Sequence, residues 1–308
     1  MTRSLLSIAQ LPLNEIHDLL STSKKLQSSD ARNQSLSGKT IGLLFYENST
    51  RTRVSFENAI RRMGASPLSL AIANSSVQKG ETIADSLRNL TALGVDGFII
   101  RHPDSGAAEL ASKTQELPVI NAGDGIHAHP TQALLDASTM WQAWGASKDW
   151  LQGKRILILG DIRHSRVARS NLELLPQLGA EVTVCAPGSL LPSETELKNY
   201  GKISRAFFPE EPLSDCDAVL VLRLQLERQA AGFIPSLAEY TRFWGLTKER
   251  LNLLNKKALI LHPGPANPEV EICLEAMEDS RSKILDQVRT GIFVRMACLQ
   301  RAFAKDDL

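Results

Sequence analysis

The chain is poor in cysteine and has no pattern that would pair what it has. Cys185, Cys216, Cys273 and Cys298 lie far apart with no CxxC, which gives no zinc-site spacing and suits buried thiols in a reducing compartment. Long apolar runs are missing too. No segment approaches the uninterrupted length of a membrane helix, and the start, Met1-Thr-Arg-Ser-Leu-Leu-Ser-Ile, lacks a signal-peptide apolar core. The expectation is a cytoplasmic protein with no membrane partner. An excess of one charge is also absent: the formal net charge is +1, with no basic block and no RNA-reading aromatic motif, which argues against a nucleic-acid surface. Cations that matter must therefore act locally. Internal repeats and low-complexity tracts are lacking as well.

At 308 residues the chain is expected to form two domains of roughly 140 to 160 residues, each able to bury its own core. The 43% hydrophobic and 22% charged content is ordinary for a globular protein. An amphipathic start, Leu11 to Leu26, precedes short apolar runs alternating with helical patterns. Candidate strands are Thr40 to Tyr46, Pro67 to Ile72, Gly97 to Arg101 and Pro118 to Ala122. The grammar restarts after Trp150 with Arg155 to Leu159, Glu181 to Cys185, Ala218 to Leu222 and Ala258 to Leu261. Such alternation predicts an α/β protein with two open parallel-sheet domains, joined through a helix from about Thr131 to Ala143. A last helix, Ile284 to Phe303, is expected to pack back across them, although Gly291 weakens it by about 1 kcal/mol relative to alanine.

Ligands of open sheets bind beyond the carboxyl ends of the strands. Those positions carry Ser49 to Arg53, Asn74 to Ser76, Arg101 to Pro103, Asp161 to Arg166, Arg223 to Arg228 and His262 to Pro265. Several include arginine, and collecting arginines around a crevice costs repulsion unless anions neutralise them. In Asn48-Ser-Thr-Arg-Thr-Arg53 the hydroxyls of Ser49, Thr50 and Thr52 and the forks of Arg51 and Arg53 join a helix start, a combination suited to phosphate. Taken alone, Ser49 or Thr50 reads equally as an ordinary N-cap. His127-Ala-His129 has the HxH spacing of metal-dependent amidohydrolases, but no credible third or fourth ligand accompanies it. Gly160 to Arg166 sits where a dinucleotide fold keeps its glycines, without GxGxxG, which argues against a nicotinamide cofactor.

Ser49-Thr-Arg-Thr-Arg53, His129-Pro-Thr-Gln132 and His262-Pro-Gly-Pro265 together resemble the transcarbamoylases. Lys79-Gly-Glu-Thr82, Arg101-His-Pro103, Asn121-Ala-Gly-Asp-Gly125, Arg223-Leu-Gln225 and the run from Gln287 to Ala297 are similar to catalytic chains on the aspartate side of that aspartate/ornithine family. The motifs stand in order over nearly the whole chain. The resemblance implies condensation of carbamoyl phosphate with L-aspartate to N-carbamoyl-L-aspartate and phosphate, the committed step of pyrimidine synthesis, with no metal and no cofactor.

By the same resemblance, residues 1–140 form a carbamoyl phosphate-binding domain and 141–308 an aspartate-binding domain, with the helix 284–303 returning toward the first. Ser49, Thr50, Arg51 and Thr52 hold the phosphate, while Arg101, His129 and Gln132 hold the rest of carbamoyl phosphate. Backbone around Pro263, Gly264 and Pro265 receives its amide, with Gly264-Pro265 expected cis. Arg166, Arg223 and Gln225 take the aspartate carboxylates, and Lys79, on a loop with Ser75, reaches both ligands from the neighbouring chain. Arg51, Thr52, Lys79, Arg101 and His129 form the implied catalytic set, in a homotrimer with shared active sites. A regulatory chain or a dihydroorotase partner is left open.

Ornithine carbamoyltransferase is the nearest competitor within the family; it typically carries a cysteine where this chain has Gly264, and its substrate offers one carboxylate. A dead scaffold would be expected to have lost Arg51, Lys79, His129 or Arg223, and all four are present. One departure is Pro268, where the family usually has arginine.

Overall fold

Thr40–Phe45 is a run of apolar residues too short for a stable helix, and it forms strand β1, buried over its central four residues. A computed structural model describes residues 3–29, 33–70, 82–145, 150–224 and 233–304. The chain divides into two compact units, the first made of residues 1–138 and 288–308 and the second of 139–287.

In the first unit, helix α1 (Leu13–Ser29) precedes β1, followed by α2 (Thr50–Arg62), β2 (Ser66–Leu70), α3 (Ile83–Ala92), β3 (Gly97–His102), α4 (Ala107–Lys113), β4 (Val119–Asp124) and α5 (Pro130–Ala143), whose residues from Thr139 onward count with the second unit. The four strands are parallel, in the order β2-β1-β3-β4. Pro67 lies on the edge strand β2, where its missing N–H interrupts no central ladder. Leu44, Phe98 and Ile100 pack with Leu87, Leu90, Ala108 and Val119 in one apolar cluster, each large side chain contributing about 1.5–3 kcal/mol by leaving water.

The second unit contains β5 (Arg155–Leu159), α6 (Arg166–Gln177), β6 (Glu181–Cys185), α7 (Glu194–Lys198), β7 (Ile203–Ala206), α8 (Glu210–Asp215), β8 (Ala218–Val221), α9 (Leu237–Trp244), α10 (Lys248–Leu253), β9 (Leu259–Leu261) and α11 (Leu274–Glu278). Its parallel order is β7-β6-β5-β8-β9. Strand β7 was not expected from the sequence. It is an edge strand of four half-buried or exposed residues, too short and too polar to leave an apolar run. The four cysteines are free and buried.

The last helix, α12 (Ile284–Ala302), contributes its residues from Val288 onward to the first unit. There Arg301 Nε donates to Glu15 Oε2 at 2.6 Å.

Candidate active site

Both sheets reverse their direction of winding once, and the reversal decides where a ligand can enter. In the first unit β1 leads outward to β2, and the chain then crosses back to β3 on the other side, so the switch lies between β1 and β3. Phe45, at the end of β1, is paired with Arg101 on β3, and Tyr46 N donates to the Arg101 carbonyl at 2.8 Å. Ser49 and the first turn of α2 thus follow one of these strand ends, and the Arg101 side chain belongs to the other.

Ser49 is the N-cap of α2 in an extended conformation, yet its side chain makes no capping bond. Thr82, Ser165, Ser193, Ser236 and Thr247 all accept a backbone N–H at the helices they open. The Ser49 hydroxyl is therefore kept off the cap at a helix start that still needs a partner for its first N–H groups. No acidic residue stands in the first turn of α2, Arg51 is exposed, and Thr52 is 8% exposed on the buried face. Arg101 donates from Nη1 to the Ala122 carbonyl at 3.2 Å and from Nη2 to Glu47 Oε1 at 3.1 Å. Glu47 thus orients the arginine, a role that no motif signalled.

His129 and Gln132 follow β4 at the start of α5, and both are buried. Their approach is organised by Asp124, which is 1% exposed. Its carboxylate accepts from Gly106 N at 2.7 Å, Asn121 Nδ2 at 2.8 Å and Ala128 N at 3.1 Å, with His127 Nδ1 at 3.0 Å. Burial pushes the Asp124 carboxyl upward, but the bonds from His127, Asn121 and Gly106 outweigh it and hold it below the ordinary range. Gln132 Nε2 donates to Asp136 Oδ1 at 2.8 Å, which turns the amide oxygen of Gln132 toward an acceptor role.

A carboxylate with a depressed pKa stabilises the fold above its unfolded pKa and loses that contribution as pH falls through the folded value. Asp124→Asn should therefore cost about 1–3 kcal/mol near neutral pH, since an amide cannot accept from all these donors. The loss should shrink as the parent is acidified. Urea melts of both proteins at descending pH test this; a constant difference between them would remove Asp124 from this role.

In the second unit the switch lies between β5 and β8. Gly160 follows β5 directly with φ +128°, and a Cβ there would stand 2.7 Å from the Leu222 carbonyl oxygen. Only glycine permits this approach. Arg166, 4% exposed, opens α6 after β5, and Arg223 follows β8, so the two arginines expected to take carboxylates flank the second switch. Beyond β9, Pro263 and Gly264 are half-buried and Pro265 is exposed, and the Gly264-Pro265 peptide is cis.

Behind this turn, His262 Nδ1 accepts from Gly264 N at 2.8 Å, His262 N donates to Gln287 Oε1 at 2.9 Å, and His262 Nε2 lies 3.4 Å from Glu271 Oε1. Because Nδ1 accepts, the neutral imidazole carries its proton on Nε2, facing Glu271. Glu271 also accepts from Asn267 Nδ2 at 3.1 Å. Pro268 is exposed and forms a bridge with Ile272.

Lys79, Ser75 and Gln225 lie outside the described residues. Of the remaining candidates, the structure brings Ser49 to Thr52 and Arg101 to one strand switch of the first unit, His129 and Gln132 to the helix after β4, and Arg166 and Arg223 to the switch of the second unit. Among the described residues, no three His, Cys, Asp or Glu side chains are grouped to hold a metal ion, and no helix is long and apolar enough to cross a membrane.

Residues 3–142 match the carbamoyl-P binding domain of aspartate/ornithine carbamoyltransferase, and residues 152–301 match the Asp/Orn binding domain of the same family. The aspartate carbamoyltransferase catalytic subunit of Chlorobaculum tepidum is 50% identical over 276 residues, covering 88% of this chain and 87% of its own. That of Desulfitobacterium hafniense is 46% identical over 301 residues, covering 96% and 94%. Among solved structures, the aspartate transcarbamoylase of Trypanosoma cruzi in complex with N-(phosphonacetyl)-L-aspartic acid aligns with a TM-score of 0.87 at 31% identity, covering 98% of this chain and 96% of that one. The same enzyme with carbamoyl aspartate and phosphate gives 0.87 at 30% identity, with 98% and 96% covered.

Proposed function

Because the chain belongs to the aspartate/ornithine carbamoyltransferase family, we infer that it transfers the carbamoyl group of carbamoyl phosphate to the amine of L-aspartate, releasing N-carbamoyl-L-aspartate and phosphate. The observation that carries this reading is the start of α2, where Ser49 leaves its own cap unmade beside Arg51 and follows the strand end that is paired with Arg101. A helix start with an unspent hydroxyl, no acid in its first turn and nearby arginines is an anion seat.

The chemistry asks little covalent help from the protein. The neutral amine of aspartate attacks the carbamoyl carbon, negative charge grows on the carbonyl oxygen, and the C–O bond to phosphate breaks. Ser49, Thr50, Arg51 and Thr52 hold the phosphate, and Thr52, Arg101 and His129 stabilise the oxygen in the manner of an oxyanion hole. Gln132 accepts from the carbamoyl amide through its side-chain oxygen, together with the backbone carbonyls of Pro263 and Gly264. Departing phosphate takes the proton that the attacking amine loses. Arg166, Arg223 and Gln225 receive the two carboxylates of aspartate, and Lys79 comes from a neighbouring chain of a homotrimer. Holding both substrates in attack geometry supplies much of the remaining acceleration. The step commits carbamoyl phosphate to pyrimidine synthesis, in the cytoplasm, with a regulatory chain or dihydroorotase as partners to be sought.

Substrate choice is the direct test. Two carboxylates match Arg166, Arg223 and Lys79, whereas ornithine offers one carboxylate and an additional cation. Purified protein given carbamoyl phosphate should carbamoylate L-aspartate, and ornithine turnover exceeding aspartate turnover would overturn the assignment.

A further inference from the structure

Arg295, on α12, is 4% exposed, and a buried charge is costly unless it is paired and hydrogen-bonded. Its Nη1 donates to Ser55 Oγ at 2.8 Å and to the Gly291 carbonyl at 3.1 Å. The guanidinium carbon stands 5.0 Å from the centre of the Phe56 ring. Burial pulls its pKa down to about 10, against opposing pulls from Cys298 and Asp136. Gly291 makes the placement possible. A Cβ at that position would come within 2.6 Å of Arg295 Nη1 and 3.1 Å of Leu135 Cδ2, so the residue that weakens α12 is the one that admits the guanidinium.

The side-chain contacts of Arg295 lead to α2, and Gly291, whose carbonyl it binds, faces Leu135 of α5. Ser55 and Phe56 lie on α2, three and four residues beyond Thr52, and therefore share a face with it. Asp136 lies on α5, four residues beyond Gln132, and accepts from the Gln132 amide. The first turns of α2 and α5 carry Ser49 to Thr52 and His129 to Gln132. We infer that Arg295 is a positioning residue for carbamoyl phosphate, holding α2 behind Ser49 to Thr52 through Ser55 and Phe56 at the point where α12 meets Leu135 of α5; this rests on the reading of that site given above.

A purely structural arginine predicts something different. Buried ionic groups can often be replaced by apolar residues of similar volume with stability kept or raised, and such an exchange would leave ligand binding alone. Arg295→Met is expected to fold with an unchanged or higher melting temperature, yet to bind inorganic phosphate about tenfold more weakly, because the phosphate seat loses its registration. KM for carbamoyl phosphate should rise by a similar factor and KM for aspartate by much less. Ser55→Ala, which keeps the charge and the Phe56 contact but removes the hydrogen bond to α2, should weaken phosphate binding by about threefold. Arg295→Lys should recover part of the loss in the Met variant.

Phosphate binding is read by calorimetry on the folded full chain. A Met variant whose phosphate affinity and KM stay within about twofold of the parent overturns the proposal. If the Met variant does not fold, parental phosphate affinity in Ser55→Ala overturns it instead. Failure of the parent chain to carbamoylate aspartate would strike the functional reading alone, since the phosphate measurements do not depend on transfer.

Discussion

Arg51→Ala is expected to lower turnover by ~10²-fold or more, because it removes a charge-assisted donor from an anion whose charge grows as the reaction proceeds. The side chain is exposed in the first turn of α2, so little packing is lost. The buried face of that helix, formed by Thr52, Phe56, Ala59 and Ile60, is untouched. The loss should therefore appear in activity and not in the melting temperature. Steady-state kinetics with saturating aspartate, run beside thermal melts, separate the two. Activity within about threefold of the parent would mean that Arg51 does not face the transferred group, since an interaction that strengthens in the transition state must appear in kcat. A fall in melting temperature of equal weight would instead make it a structural residue.

Most strands could be read directly from the sequence because each is a short apolar run bounded by turn residues. Arg155–Leu159 and Glu181–Cys185 have in the structure the bounds expected from their composition. Strand β7 escaped because a half-exposed edge strand needs no apolar run; Ile203-Ser-Arg-Ala206 is held by its pairing with β6. The candidate ligands were visible by residue type, since arginines and hydroxyls at strand ends are uncommon as packing choices. The residues that hold them were not. Glu47 gains its meaning from Arg101, which is 54 residues away, and Arg295 from Ser55, 240 residues away. Asn121 to Gly125 could be quoted as a motif, but the donors that converge on Asp124 become visible only when α4 and the segment before α5 are folded around it. Local pattern identifies a side chain that needs a partner, and tertiary structure supplies the partner.

The largest expected recovery of activity concerns Lys79 and Arg51 in different chains. If Lys79 serves the phosphate seat of a neighbour in a cyclic trimer, chains carrying Lys79→Ala and chains carrying Arg51→Ala should complement when they are dissociated, mixed and reassembled. A working site then needs an Arg51-bearing chain followed, in one direction around the ring, by a Lys79-bearing chain. Every mixed trimer contains one such interface, whichever mutant is in the majority, because the opposite junction pairs two defective residues. With random equal mixing about three quarters of trimers are mixed and one site in three works in each, so roughly a quarter of parental activity should return. Each mutant reassembled alone should recover none, which controls for refolding gains. A site built within a single chain behaves differently: every site then lacks either Lys79 or Arg51, and mixing restores nothing. Activity of mixed assemblies that stays at the level of the separate mutants, with trimer formation verified by native mass, would refute the donation of Lys79 across the interface while leaving the phosphate seat at Ser49 to Thr52 in place.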